Sequence, residues 1–220
     1  MKINTNHIEI FYEKSGCGQP VILIHGNGES HQIFDKLISQ LSCHFTVYAV
    51  DSRNHGNSQK NLPVSYDLMA EDIISFINDL HIHKPIFYGF SDGGIVGLLI
   101  ASRYPDLFSK LIISGANLNP AGLKSAVLIF FKIIYFFNRS LLIRMMLEEP
   151  QIDPQNLKNI MIPTLVLAGS KDVIKKEHTE LIAKSIPGSK LEIIPGESHS
   201  SYIIHSDKLY KIIQPFLFNS

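Results

Sequence analysis

The chain has 220 residues, 45% of them hydrophobic, with 20 basic and 20 acidic side chains and no net charge. That length suits one domain with a sizeable core, and the even charge balance supplies no basic field for nucleic acid. The only cysteines, Cys17 and Cys43, lack metal-ligand spacing and are too few for a disulfide scaffold.

Taken in chain order, "HIEIFYEK" alternates apolar and polar residues and predicts an antiparallel edge strand or hairpin. No apolar h-region precedes it, so no signal peptide is read and a cytoplasmic location is expected. The run "PVILIHG" then predicts a buried strand, and "QIFDKLISQL" sets Ile33, Leu37, Ile38 and Leu41 on one helical face. After the strand "FTVYAVD", the segment "YDLMAEDIISFINDL" places Leu68, Ile73, Phe76, Ile77 and Leu80 on another helical face. The strand "KPIFYGFS" leads into the predicted helix "GIVGLLIASRY", and "KLIISGA" follows as a further strand.

From about 119 to 158 no strand is legible, and Pro120 and Pro154 bracket the region. A loop of that length without structure would be unusual, so an inserted helical cap with room for two helices is expected. Within it, Ala126 to Leu147 is strongly apolar but interrupted by Lys132, Arg139 and Arg144. It falls short of the roughly 20 apolar residues of a membrane span. Its apolar side chains suit a greasy wall for an acyl or aromatic group, packing on the core, or a membrane or dimer contact. The strand "PTLVLAGS", the helix "KKEHTELIAKSI", the strand "KLEIIPG" and the helix "SDKLYKIIQPFL" complete the chain, with Pro215 ending or kinking the last. Alternating strands and helices predict a single α/β domain over residues 1–220: a mostly parallel sheet with helices on both faces.

In such sheets ligands bind beyond the carboxyl ends of the strands. Three polar residues there form a chemical set. Ser91 lies in Gly89-Phe90-Ser91-Asp92-Gly93, between a predicted strand and a predicted helix. Small residues two before and two after let the chain turn sharply and leave the hydroxyl exposed as a nucleophile; the plainer reading is a helix N-cap. A serine hydroxyl needs a base, and the base an orienting carboxylate. His199 of "PGESH" and Asp172 of "AGSKD" each follow a predicted strand and suit those roles.

A tetrahedral intermediate also needs two donors aimed at its oxyanion. The glycine-rich "HGNG" at 25–28 offers the backbone N–H of Asn27, and the turn offers that of Asp92. His25 reads as a brace for its loop rather than a proton carrier. The carboxylate of Asp92 either complements the helix dipole or faces the substrate, where it would bind an amine near the scissile carbonyl.

The motifs "HGNG" (25–28), "DSRNHGNS" (51–58), "GFSDGG" (89–94), "GSKD" (169–172) and "GESH" (196–199) resemble those of the α/β-hydrolase superfamily over nearly the whole chain, in the family's order of serine, acid and histidine. The resemblance implies a serine hydrolase that cleaves a small carboxylic ester or related acyl bond through an acyl-enzyme, without cofactor or metal. C–C bond hydrolysis, thioester hydrolysis and aminopeptidase activity use the same triad, and a non-catalytic ligand sensor is the reading from another class. It also implies that Asp51, Arg53 and His55 belong to a structural loop. Asn54 stands where the family has glycine; asparagine tolerates the left-handed backbone that position requires.

Overall fold

The computed structural model describes residues 1–218. Eight strands form one sheet: β1 (Lys2–Thr5), β2 (Ile8–Ser15), β3 (Gln19–Ile24), β4 (Phe45–Val50), β5 (Ile86–Phe90), β6 (Lys110–Ser114), β7 (Thr164–Lys171) and β8 (Lys190–Ser198), in the order β1-β2-β4-β3-β5-β6-β7-β8. The β1–β2 and β2–β4 pairs are antiparallel and the rest parallel, so the opening alternation is a hairpin on a parallel sheet.

The helices are α1 (Asp35–Leu41), α2 (Tyr66–Asp79), α3 (Asp92–Arg103), α4 (Ser125–Asn138), α5 (Leu141–Glu148), α6 (Lys176–Ser185) and α7 (Lys208–Phe218). Side chains alternate along each strand, and β3 divides accordingly. Ile22 and Ile24 join the core under α2, α3 and α6, while Val21 and Leu23 join the core under α1 and α7. Continuous apolar runs thus reflect burial on both faces.

Two details depart from the expected elements. The segment "QIFDKLISQL" is broken into a 3-10 turn, His31–Phe34, capped by Ser30, and the α-helix proper. Pro215 does not end α7, which continues to Phe218. Lacking an N–H, Pro215 forfeits one helical hydrogen bond to the carbonyl four residues earlier, and α7 runs past it nonetheless. The segment between β6 and β7 holds α4 and α5 flanked by 3-10 turns at Pro120–Gly122 and Pro154–Asn159.

Two buried clusters fix the loops near the strand ends. His25 is fully buried; its Nδ1 lies 2.7 Å from Gly26 O, and its Nε2 accepts from Ser52 N–H at 3.1 Å. That is a neutral imidazole with both nitrogens used. Burial first, and the nearby His55 second, lower its pKa to about 4. Because the folded value lies below the unfolded one, this contribution to stability is present above the unfolded pKa, ~6.5, and is lost as pH falls toward the folded one. Acidification from pH 7 to pH 4 should cost about 3 kcal/mol from this site. Urea midpoints at both pH values check this, and the pH slope should shrink in His25→Asn.

The second cluster joins Arg53, after β4, to Asp72 on α2 through paired bonds of 2.6 Å, with both side chains buried. Arg53 also donates to Pro63 O, and Asn6 donates to Asp72. Asp51, also buried, accepts from the backbone N–H of His31 and Asn57. Asn54 has φ 63°, the left-handed conformation expected of it.

Candidate active site

The sheet ends bring Ser91 (after β5), Asp172 (after β7) and His199 (after β8) to one point. Ser91 sits between β5 and α3 with φ 52° and ψ −112°. Such backbone costs on the order of 1–3 kcal/mol for a residue with a side chain. The flanking glycines make the turn possible. A Cβ on Gly89 would collide with the carbonyl of Gly93, and one on Gly93 with the carbonyl of Ile24. Ser91 holds the N-cap position of α3, yet its side chain makes no capping bond. Its Oγ lies 3.1 Å from His199 Nε2 instead.

His199 Nδ1 lies 2.7 Å from Asp172 Oδ1. Asp172 is buried, and the same oxygen accepts from Ile174 N–H at 2.9 Å. That arrangement selects the tautomer with the proton on Nδ1 and leaves Nε2 as acceptor for the serine hydroxyl. The ring is also packed against Phe90, centroids 4.9 Å apart.

Asn27 and Asp92 lie beside Ser91, and their backbone N–H groups have no hydrogen-bond partner among the described residues. Their side chains bond each other, Asn27 Nδ2 to Asp92 Oδ2 at 2.9 Å. Tyr66 donates its hydroxyl to Asp92 Oδ1 at 2.8 Å. Buried Asp92 thus ties the loop after β3, the serine turn and the start of α2 together, a role neither sequence expectation named. Burial raises its carboxyl pKa, and the bonds from Asn27 and Tyr66 oppose that rise.

A cavity of about 240 Å³ opens on Ser91 and His199. One side is apolar, formed by Leu123, Val127, Phe131, Met146, Val173 and Ile174. The polar side includes Asn27, Glu29, Tyr66 and Asp92, with no lysine or arginine in the lining. Glu29 accepts from Gly26 N–H at 3.0 Å, and burial raises its pKa. Among the described residues no group of three or more His, Cys, Asp or Glu is placed to hold a metal ion.

Several contributors escaped the sequence reading. Tyr66 and Glu29 reach the site through tertiary packing with no local motif, and Phe90, though inside the serine motif, was not marked there as the ring that packs on His199. Gly115, just past β6, has φ 62°, and a Cβ there would lie 2.6 Å from His199 Cε1 and 2.8 Å from its Nδ1. The glycine therefore makes room for the imidazole. Gly115→Ala should lower turnover at least ~10-fold by displacing that ring, with about 1 kcal/mol lost from left-handed strain. Steady-state kinetics and a thermal melt on the same sample separate the two effects.

A family model described as "alpha/beta hydrolase fold" matches residues 19–144. Serine hydrolase BPHL of Homo sapiens is 26% identical over 98% of this chain and 85% of that protein. Among solved structures, a thermophilic esterase from Thermogutta terrifontis superposes with a TM-score of 0.79 at 24% identity, covering 99% of this chain and 97% of that one. A bromoperoxidase from Bacillus anthracis gives 0.85 at 23% identity, with 96% of each chain covered. At those identities the two structures establish the shared fold.

Proposed function

This chain belongs to the alpha/beta hydrolase family, and from that premise we propose that it cleaves a small, neutral or cationic carboxylic ester or related acyl bond through an acyl-enzyme. The observation that carries the reading is the hydrogen-bonded chain Ser91–His199–Asp172, with steps of 3.1 and 2.7 Å, at the mouth of one cavity.

Ser91 Oγ attacks the carbonyl carbon while its proton passes to His199 Nε2. Asp172 holds the imidazole and stabilises its cation. The carbonyl oxygen becomes an oxyanion, stabilised by the backbone N–H of Asn27 and of Asp92. When the C–O bond breaks, the proton on Nε2 goes to the leaving alkoxide. Water then attacks the acyl carbon, gives its proton to Nε2, and Ser91 departs with that proton as the free hydroxyl.

The apolar wall accepts the acyl chain, and about 240 Å³ suits a small one. Glu29 and Asp92 line the same cavity and form no ion pair among the described residues. Two carboxylates without a lysine or arginine disfavour an anionic substrate by like-charge repulsion. That observation also favours a second reading, an ester or amide with an amine near the carbonyl. Thioester, C–C and N-terminal peptide cleavage remain activities open to the same triad.

One kinetic profile tests both readings: neutral esters of graded acyl length, their α-amino counterparts, and succinyl-type esters with a free carboxylate. Short and medium neutral esters should turn over, and the anionic ones should be at least ~10-fold poorer in kcat/KM. If amine recognition holds, the amino esters lead and Asp92→Asn removes their lead. Equal preference, unchanged by Asp92→Asn, would refute amine recognition, and preferred turnover of the anionic esters would refute the proposed substrate class.

A further inference from the structure

Helix α4 is apolar on every side, yet none of its residues is buried. A helix apolar all round is normally enclosed by protein or lipid. Its inner side is accounted for: Val127 and Phe131 line the cavity. Its outer side is not. Ile129, Phe130, Ile133, Phe136 and Phe137 are 53–79% exposed, and Leu141 at the start of α5 extends the patch. Spaced at i, i+1, i+4, i+7 and i+8, the five on α4 form a single stripe.

The charges around the stripe are of one sign. From residue 107 to residue 147 the chain has no Asp or Glu, while Lys132 lies in α4, Arg139 caps it and Arg144 lies in α5. Arg144 is engaged with Glu148 at 3.0 Å. Arg139 lies over the rings of Tyr135 and Phe136, 5.4 and 5.6 Å from their centroids, so its charge stays beside the apolar patch. Lys132 is exposed and forms no ion pair among the described residues. Lys60 adds another cation at the same edge, in a shallow groove shared with Ser140, Leu141 and Leu142.

We infer that the outer face of α4 seats this protein on an anionic lipid surface, its apolar stripe in the headgroup–acyl boundary and Lys60, Lys132 and Arg139 against the headgroups. The length fits this mode alone among membrane modes. α4 has 14 residues, and among the described residues no helix is long and apolar enough to cross a bilayer. It would lie in the interface plane. A second copy of the chain fits less well. A two-fold contact of α4 with α4 would oppose cations with cations and offer no carboxylate from that run to meet them. The inference stands on exposure and charge alone, independent of the chemistry assigned to Ser91.

Co-sedimentation of the full chain with large unilamellar vesicles tests it. Binding should be at least ~10-fold stronger to phosphatidylcholine vesicles containing phosphatidylglycerol than to phosphatidylcholine alone, and should weaken in high salt. The double variant Phe130→Ser, Phe137→Ser should lose binding at least ~10-fold, with the melting temperature and turnover of a soluble ester unchanged. Lys132→Glu with Arg139→Glu should abolish the preference for the anionic vesicles. Failure of the unaltered protein to bind anionic vesicles would overturn the inference, as would binding that ignores the phenylalanine changes. So would a dimer in light scattering that Phe137→Ser converts to monomer.

Discussion

Ser91→Ala should lower ester turnover by about 10⁴–10⁶-fold while leaving the fold intact. The magnitude follows from the geometry. Ser91 Oγ lies 3.1 Å from His199 Nε2, and among the described residues no other hydroxyl makes that contact. On the proposed mechanism, removing it deletes the nucleophile and leaves only the residual effect of the proposed oxyanion donors and the cavity. The serine makes no capping bond to α3, so the helix loses nothing with it. His199→Ala should cost a similar factor, and the double variant little more than either one, because the residues act as a unit. Steady-state kinetics on a chromogenic ester, with circular dichroism to confirm the fold, give the comparison. Additive losses in the double variant would contradict a shared proton path.

Arg53→Met should destabilise the protein by about 3–5 kcal/mol, the largest stability effect expected of a single change outside the apolar core. Arg53 and Asp72 are both nearly inaccessible, 5% and 2% exposed at the side chain. The guanidinium meets both oxygens of the carboxylate, so the pair is fixed in orientation as well as distance. Deleting the cation leaves a buried carboxylate supported, among the described residues, only by Asn6. Converting Asp72 to leucine as well should recover part of the loss, since the desolvated charge then disappears. Urea denaturation of the single and double variants measures both quantities. A single-variant loss below ~1 kcal/mol would mean the pair is only a surface-like contact.

The sheet was legible because burial on both faces leaves continuous apolar runs, and each run ends in glycine or a polar residue. Asn54 was legible through the family resemblance, which places glycine there, and its left-handed φ of 63° is one few other residues accept readily. Ser91, Asp172 and His199 were legible because each follows a strand, and the fold gathers strand ends at one edge.

What sequence could not convey is contact between distant segments. Tyr66 and Asp92 are 26 positions apart, and nothing local marks the tyrosine as a donor to that carboxylate. The role of Gly115 is invisible for the opposite reason. A glycine after a strand looks like any turn residue until the imidazole above it is seen. The Asp92 carboxylate shows the same limit, since a helix-dipole argument is local and its bonds to Asn27 and Tyr66 are tertiary. For α4, composition could not separate a cavity wall from an outer contact; the fold turns one side of the helix to the cavity and leaves the other exposed.

Labelling with a fluorophosphonate, followed by peptide mapping, tests the proposed Ser91 nucleophile most directly. A covalent adduct on Ser91, formed with loss of hydrolytic activity and absent in His199→Ala, is the predicted result. An unlabelled Ser91 in a protein that still hydrolyses esters, or activity retained after complete labelling of Ser91, would contradict it.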